Sequence, residues 1–235
     1  MTAFFPFRLL SPFHSFPVPS VPPVLPGRKS MRNSNRVIAA VLGAALALPL
    51  GAAPALAAAP AITVEVIAAS GSGCAPGTAT VVSNSDNTGF RVRYRDFTAT
   101  AGGGADIVER RKNCQLGVLV SIPDGWTIAI ASANYRGRAT LKSGATALQR
   151  TSYYWQGAST TERKDATFTG PYSGLWTTWD VAPVLTYAEC GSQSVLNINT
   201  ELRIDAGTST STSTMSMSNT EGDVDTLFNY SLSSC

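Results

Sequence analysis

The sequence predicts an all-β fold: a single-domain antiparallel β-sandwich, jelly-roll or immunoglobulin-like, with two disulfides. Downstream of residue 58, no long segment repeats its apolar residues with the 3.6-residue period of a helix. Short runs of β-branched and aromatic residues recur instead at intervals of about 8–12 residues, separated by turn-forming residues, a pattern typical of sandwiches and barrels. Four cysteines, an even number, fall in the same region.

The first three predicted strands are short β-rich or alternating segments, residues 62–68, 78–83 and 88–97. A polar cluster at residues 84–87 predicts the turn between the second and third strands. Neighbouring residues of a strand point to opposite faces. The three apolar side chains within residues 90–95 therefore face the core, and the three arginines between them form an outer basic stripe. Such a stripe offers positive charge to an anionic polysaccharide, but we expect it to be solvated or paired with acids.

The next predicted strands are residues 115–122, 126–135, 146–155 and 165–169. The first two flank Pro123-Asp124-Gly125, a sequence that favours a tight turn and so predicts a hairpin between them. The last predicted strands are residues 174–180, 194–205 and 225–232.

Two polar segments lie near the C-terminus. Thr208–Ser218 is a Ser/Thr ladder broken by two methionines, and its composition predicts a polar edge strand or a loop. Glu221, Asp223 and Asp225 alternate, which puts three acids on one side of an extended segment. Calcium binds such oxygen ligands, but the EF-hand pattern is lacking, so we predict a polar loop.

Residues 31–57 have the three regions of a secretory signal peptide. A basic segment precedes an apolar run, and a small-x-small cleavage site ends at Ala57. We therefore expect a secreted, extracellular domain of residues 58–235. The alternative is an uncleaved anchor, since the apolar part is nearly long enough to span a bilayer, but its prolines and small residues favour cleavage. Residues 1–30 are expected to be a mis-assigned start or a disordered leader.

Cleavage would change the charge of the protein. The whole chain has 18 bases and 15 acids, a net charge of +3. Residues 1–57 hold five of the bases and none of the acids, so residues 58–235 carry 13 bases and 15 acids, a net charge of −2. The only histidine, His14, also lies upstream. A net negative charge gives no reason to expect nucleic acid as a partner of residues 58–235. Nor does it give a reason to expect a membrane partner after cleavage.

The four cysteines are expected to form two disulfides, because an exported chain matures in an oxidising environment. Three pairings are open to four cysteines. We predict the sequential one, Cys74–Cys114 and Cys190–Cys235. Residues 58–235 contain no CxxC pair and no histidine, so the sequence predicts no metal site and no cofactor.

Seven short motifs occur along the chain in a characteristic order. They are Gly71-Ser72-Gly73-Cys74, Arg111-Lys112-Asn113-Cys114-Gln115-Leu116, Tyr135-Arg136-Gly137, Gly170-Pro171-Tyr172-Ser173-Gly174, Cys190-Gly191, Leu196-Asn197-Ile198-Asn199-Thr200 and Cys235. In this order they resemble the secreted family catalogued as domain of unknown function number forty-three sixty, found in fungi and actinobacteria. The resemblance implies secretion, one β-rich domain and four paired cysteines. It implies no activity and no catalytic residue.

The missing histidine limits the chemistry of the expected domain. Without histidine or a free thiol, residues 58–235 cannot build a Ser-His-Asp or Cys-His site. Carboxylate pairs remain available for acid–base work, as in glycoside hydrolysis. We expect surface or turn positions for the acids nearest aromatic or strand-end residues, and we assign no catalytic residue. Those acids are Asp124, Asp180, Glu189 and Glu201.

The aromatic residues are the stronger functional signal. Tyr153 and Trp155 share one face of their strand and Tyr154 takes the other. Core packing is expected for most of these rings, and an outward ring would stack on a saccharide or a partner. The candidate ligand contacts are Trp155, Tyr172, Trp176 and Trp179.

The sequence thus predicts a secreted, non-enzymatic binding or surface-interaction module with an extracellular glycan, a cell-wall component or a protein as its partner. A carboxylate-dependent polysaccharide hydrolase is the enzymatic alternative. A secreted inhibitor or effector, presenting disulfide-rigid loops to a protein target, is the third hypothesis.

Overall fold

The computed structural model describes residues 60–217 and 225–235. The expected leader (1–30) and signal peptide (31–57) lie outside these residues. The described chain contains twelve β-strands and one turn of 3-10 helix, Ile107–Arg110.

The strands are numbered in chain order. They are β1 (Thr63–Ser70), β2 (Ala79–Ser83), β3 (Gly89–Tyr94), β4 (Thr98–Ala101), β5 (Arg111–Ser121), β6 (Trp126–Leu141), β7 (Thr146–Trp155), β8 (Glu162–Thr169), β9 (Tyr172–Val181), β10 (Gln193–Asp205), β11 (Ser213–Ser216) and β12 (Thr226–Ser234).

Two antiparallel sheets pack face to face. The five-stranded sheet has the order β1-β5-β10-β7-β8. The seven-stranded sheet has the order β2-β3-β12-β6-β11-β4, and β9 pairs with the opposite edge of β6. The rings of Tyr153 and Phe228 meet between the sheets with centroids 5.6 Å apart, and those of Phe168 and Trp176 meet at 5.4 Å. The predicted all-β sandwich is confirmed.

Alternation in β5 and β10 decides which side chains reach solvent on the five-stranded sheet. Leu116 and Val118 of β5 and Leu196 and Ile198 of β10 are buried between the sheets. Burying apolar side chains contributes about 1.5–3 kcal/mol each, so this pattern fixes the strand register. The residues between them, including Gly117, line the outer face.

Both disulfides have the predicted sequential pairing. Cys74, in the loop after β1, is bonded to Cys114 of β5. Cys190, in the loop before β10, is bonded to the C-terminal Cys235. Each bond ties a loop to a neighbouring part of the sandwich.

The predicted hairpin at Pro123-Asp124-Gly125 is wrong. The amide of Trp126 donates to the carbonyl of Pro123 at 3.2 Å, so the turn itself is present. However, β5 belongs to the five-stranded sheet and β6 to the seven-stranded sheet. The turn carries the chain from one sheet to the other, and the flanking strands do not pair.

The prediction of a polar edge strand or a loop for the Ser/Thr ladder is also incomplete. Residues 213–216 form β11, which lies between β6 and β4 rather than at an edge. Ser213, Met215 and Met217 are buried. The two methionines, not the threonines, determine which side of this segment faces the core.

Candidate ligand-binding surface on the five-stranded sheet

The outer face of the five-stranded sheet has a shallow depression of about 340 Å³ across β1, β5, β10 and β7. Neighbouring strands lie about 4.8 Å apart, so four strands make a floor about 14 Å wide. The volume falls at the lower end of the range typical of small-ligand sites. We call this feature the Gly117 hollow and define it by Ile67, Gln115, Gly117, Tyr154, Gln156, Asn197 and Asn199.

Gly117 forms the floor of the hollow. It pairs with Ala68 on β1 and with Asn197 on β10. A Cβ atom at Gly117 would lie 3.4 Å from the Cβ of Ala68 and 3.5 Å from Cγ1 of Ile67. These are ordinary van der Waals contacts, so the backbone would accept a larger residue. Gly117 is itself buried among these neighbours, and because it has no side chain it adds nothing above the backbone to the floor of the hollow.

An aliphatic and an aromatic side chain border the floor. The pairing of β1 with β5 shifts register between Val66 and Ala68, and the irregularity leaves Ile67 exposed beside Gly117. Tyr154 of β7 pairs with Asn197, and 39% of its surface is exposed. Its neighbours on both sides are buried. The predicted alternation along this strand is thus confirmed, with Tyr154 on the outer face.

Four carboxamides surround the floor: those of Gln115, Gln156, Asn197 and Asn199. None makes a side-chain hydrogen bond to another group in the described part of the chain. A carboxamide carries two donor hydrogens and an accepting oxygen. The hollow therefore combines an apolar rim with uncommitted donors and acceptors, the mixture found in sites that bind polar ligands.

A second, larger depression of about 680 Å³ lies on the same face, toward the other end of β10. It extends from the 3-10 turn across β5 and β10 to β7 and β8. We call it the arginine depression. Its charged lining consists of Arg110, Arg111, Arg150, Arg203, Asp165 and Asp205.

Ion pairs hold two of these arginines in place. The guanidinium of Arg111 donates to Glu201 at 2.8 Å, and that of Arg150 donates to both oxygens of Asp165 at 2.8 and 2.7 Å. Hydrogen bonding from Arg111 lowers the pKa of Glu201, although burial partly opposes this. Hydrogen bonds from Arg150 and Arg163 likewise hold the pKa of Asp165 well below its usual range.

The four candidate aromatic contacts do not share one surface. Trp155 and Trp176 are only 5% and 3% exposed, because their strands turn these rings toward the core. The indole of Trp155 donates to the carbonyl of Thr186 at 3.0 Å. Tyr172 is half-buried against Phe168. Trp179 alone of the four is well exposed, at 60%, on the outer side of β9. The expectation of ligand contact by Trp155 and Trp176 therefore does not fit their positions.

Trp176 explains the glycine of the Tyr135-Arg136-Gly137 motif. A Cβ atom on Gly137 would come within 2.2 Å of the Trp176 ring and of the Ser216 carbonyl oxygen. Real Cβ atoms do not approach other atoms so closely. Residue 137 must therefore be glycine for this indole to pack on β6.

The four candidate acids do not meet in one cleft. Asp180 accepts a hydrogen bond from the Tyr153 hydroxyl at 3.2 Å on the inner side of the five-stranded sheet. Glu201 lies on the outer side of that sheet, bonded to Arg111. Asp124 belongs to the turn between β5 and β6, and Glu189 precedes Cys190. The hydrolase alternative has no support from these positions.

Glu162 is an acid that the sequence analysis missed. It pairs with Tyr153 across β7 and β8. Burial raises the pKa of Glu162, and the nearby charge of Asp180 raises it further. The register between β7 and β8 creates this juxtaposition, and no local motif in the sequence indicates it.

Within residues 60–217 and 225–235, no group of three or more His, Cys, Asp and Glu is arranged to hold a metal ion. Asp225 is buried and bonded to Arg91 at 3.1 Å. Glu221 and Asp223, the other acids of the predicted polar loop, lie outside the described residues. No helix in the described ranges is long and apolar enough to cross a membrane.

Sequence reasoning also missed the floor and carboxamides of the hollow. A signal for part of the site was available, since Gln115, Asn197 and Asn199 belong to the motifs that carry the family resemblance. Gly117 immediately follows one of those motifs. Once the inward-facing residues of β5 and β10 are known, alternation places Gly117 and these three carboxamide residues on the same outer face.

The fold and its surface define the chain as a disulfide-linked β-sandwich with a ligand-sized hollow on one sheet. It belongs to the family described as Domain of unknown function (DUF4360), whose model matches residues 60–235. The predicted family is therefore confirmed.

A curated relative supports the extracellular location. The chain is 32% identical over 138 residues to an uncharacterized secreted protein of Arthroderma benhamiae. The match covers 58% of this chain and 56% of the relative, so the chain spans little more than half of that protein. The prediction of a secreted, extracellular protein is confirmed.

One solved structure is similar at a greater distance: TmCBM61 in complex with β-1,4-galactotriose. The alignment covers 74% of this chain and 88% of that one, with 10% identity and a TM-score of 0.27.

Proposed function

We propose that the protein is a non-enzymatic extracellular binding module whose Gly117 hollow holds a short segment of glycan. One observation carries this proposal: an exposed tyrosine ring and four uncommitted carboxamides surround a floor without a side chain. Among the residues that the structure describes, no disulfide or ion pair occupies the hollow.

The chemistry of the hollow suits a sugar. A sugar ring has apolar C–H faces and a rim of hydroxyls, each of which donates and accepts hydrogen bonds. The Tyr154 ring offers an apolar surface to the C–H face. The carboxamides of Gln115, Asn197 and Asn199 offer donors and acceptors to the hydroxyls. Gly117 lets the ligand approach the backbone of the sheet.

The shallow shape indicates modest affinity. An open surface leaves much of a bound sugar in contact with water. The free energy of the contacts must first offset the entropy lost when ligand and side chains are ordered, and only the remainder appears as affinity. We therefore expect dissociation constants in the micromolar to millimolar range for short oligosaccharides.

Tyr154→Ala tests the site directly. Removing the ring should weaken binding to a responsive glycan by about tenfold or more, since aromatic anchors dominate such contacts. Tyr187→Ala is the matched control, because Tyr187 is 40% exposed, nearly the same as Tyr154 at 39%. Tyr187 contacts Ser231 of β12 in the other sheet. Binding would be measured by isothermal titration calorimetry after a screen of glycans and cell-wall polymers.

Three outcomes of this screen count against the proposal. Binding to no glycan by the correctly folded wild-type protein would contradict it. Equal losses in the two tyrosine variants would place the ligand elsewhere, and so would an unchanged affinity in Tyr154→Ala.

A protein partner is the second candidate function, and it has its own supporting observation. The outer side of β9 exposes Leu175, Trp179 and Val181. In the described chain, β9 pairs with no strand other than β6. Exposed apolar side chains on an edge strand are typical of protein contacts. If this function holds, Trp179→Ala should abolish capture of the partner from a secretome, while Tyr154→Ala should not.

We also propose that the secreted module consists of residues 58–235, released by cleavage after Ala57. The basic, apolar and small-residue regions of residues 31–57 support this boundary. N-terminal sequencing of the protein from culture medium should begin at Ala58. An N-terminus within residues 1–30 would contradict this boundary.

A further inference from the structure

The arginine depression continues the face that holds the Gly117 hollow. Asn197, Asn199, Glu201 and Arg203 are alternate residues of β10 and lie on its outer side. Alternate residues of a strand are about 6.6 Å apart. From Asn199 to Arg203 is therefore only about 13 Å, so one extended ligand can contact both depressions.

The arginine depression carries an excess of positive charge. Its lining contains four arginines and only two acids. The expected mature chain, by contrast, has two more acids than bases. Positive charge is thus concentrated locally on a weakly acidic protein, and a concentration of this kind attracts anionic ligands.

The guanidinium groups remain able to bind a ligand. A guanidinium has five N–H donors. One guanidinium nitrogen of Arg111 donates a hydrogen bond to Glu201, and two nitrogens of Arg150 donate to Asp165. These ion pairs hold both side chains in place, which lowers the entropy lost on binding. Arg203 is exposed and forms no ion pair within the described residues.

We propose that the ligand of this face is an acidic glycan: one sugar of the glycan lies in the Gly117 hollow, and a carboxylate or sulfate on a sugar further along the same glycan binds Arg203 and Arg111. This inference rests on the proposed function and adds the chemical class of the ligand. A planar guanidinium can donate two parallel hydrogen bonds to an anionic oxygen pair, which a neutral sugar does not offer.

The test compares glycans of equal length and different charge. The probes are the neutral oligosaccharide that binds best in the glycan screen, and two oligosaccharides of the same length and linkage that carry uronate carboxylates or sulfate groups. We expect at least one acidic probe to bind about three- to tenfold more tightly than the neutral one at low salt, a modest gain because exposed ion pairs contribute little each. The gain should shrink at 0.15 M salt, where the screening length falls to about 8 Å.

Arg203→Gln locates the charged contact. This exposed substitution should remove the advantage of the acidic probe and leave the neutral probe unaffected. Arg203→Lys should keep part of the advantage, because it keeps the charge and loses the paired donors. Arg93→Gln is the control, since Arg93 is an exposed arginine on β3 of the other sheet. Circular dichroism would verify that each variant is folded.

The outcomes separate this inference from the proposed function. Binding of the neutral probe without any preference for the acidic probes would overturn this inference alone. An acidic preference that persists in Arg203→Gln, or that is lost equally in Arg93→Gln, would also overturn it. Failure of all probes to bind the wild-type protein would count against the proposed function itself.

Discussion

Filling the floor of the Gly117 hollow should separate binding from stability. Gly117→Ala adds a Cβ atom with neighbours at 3.4, 3.5 and 3.7 Å, all ordinary contacts. Glycine within a strand costs about 0.5–1 kcal/mol relative to alanine. The free energy of unfolding of Gly117→Ala should therefore be about 0.5–1 kcal/mol higher than that of the wild-type protein. For a domain of this size, its midpoint temperature should rise by about 1–4 °C.

Binding should change in the opposite direction. The new methyl group lifts the floor where the ligand approaches the backbone, so affinity for the glycan should fall several-fold in Gly117→Ala. Gly117→Val places two further carbons in the hollow, and β-branched residues suit strands. We expect it to stay folded and to bind more than about tenfold more weakly than the wild-type protein, a loss above 1.4 kcal/mol.

The assay pairs thermal unfolding by circular dichroism with calorimetric titration of the same samples. Thr80→Val, an exposed position on β2 of the other sheet, controls for added apolar surface. If Gly117→Val is folded and binds like the wild-type protein, the ligand does not contact Gly117 and the reasoning is refuted. If both Gly117 variants unfold at lower temperature, the contact geometry described for this position is refuted.

Three further predictions concern the framework and the charged groups. Cys190→Ser with Cys235→Ser opens a 45-residue loop and should lower the free energy of unfolding by about 4 kcal/mol in the chain-entropy model; an unchanged denaturant midpoint would contradict this. Gly137→Ala should cost about 1–3 kcal/mol or more because it forces apart Trp176 and β6, and thermal unfolding measures this. Arg111 lowers the pKa of Glu201 below its ordinary 4.5. This pair therefore stabilises the fold above that pH and loses its effect as pH falls through the lowered value. The difference in unfolding free energy between wild type and Glu201→Gln should shrink on acidification, whereas a difference constant from pH 7 to pH 3 would contradict the assignment.

Local alternation predicted the strands well but not their partners. Residues 146–155 form β7 as expected, because Tyr153 and Trp155 bury one face and Tyr154 leaves the other exposed. The turn at Pro123-Asp124-Gly125 has the same local chemistry whether its strands pair or separate into two sheets. Packing over the whole domain decides between these outcomes. A sequence window of a few residues carries no information about that packing.

The binding surface was hidden from the sequence for a similar reason. Gly117 adds no side chain to the floor, but the sequence around it does not reveal that Ala68 and Asn197 lie beside it, because the register of β5 with β1 and β10 brings them there. Arg111 and Arg203 are 92 positions apart in the sequence and are paired by the register of β5 with β10. An aromatic residue such as Trp176 serves core and surface equally well, so its residue type does not say which face it takes.

The measurement that tests the central claim most directly is an NMR titration of the isotopically labelled secreted module with the best-binding glycan. The account predicts that the largest chemical-shift changes occur at Gly117, Tyr154 and the carboxamides of Asn197 and Asn199. Changes confined to Trp179 and the rest of β9, with the five-stranded sheet unaffected, would contradict it.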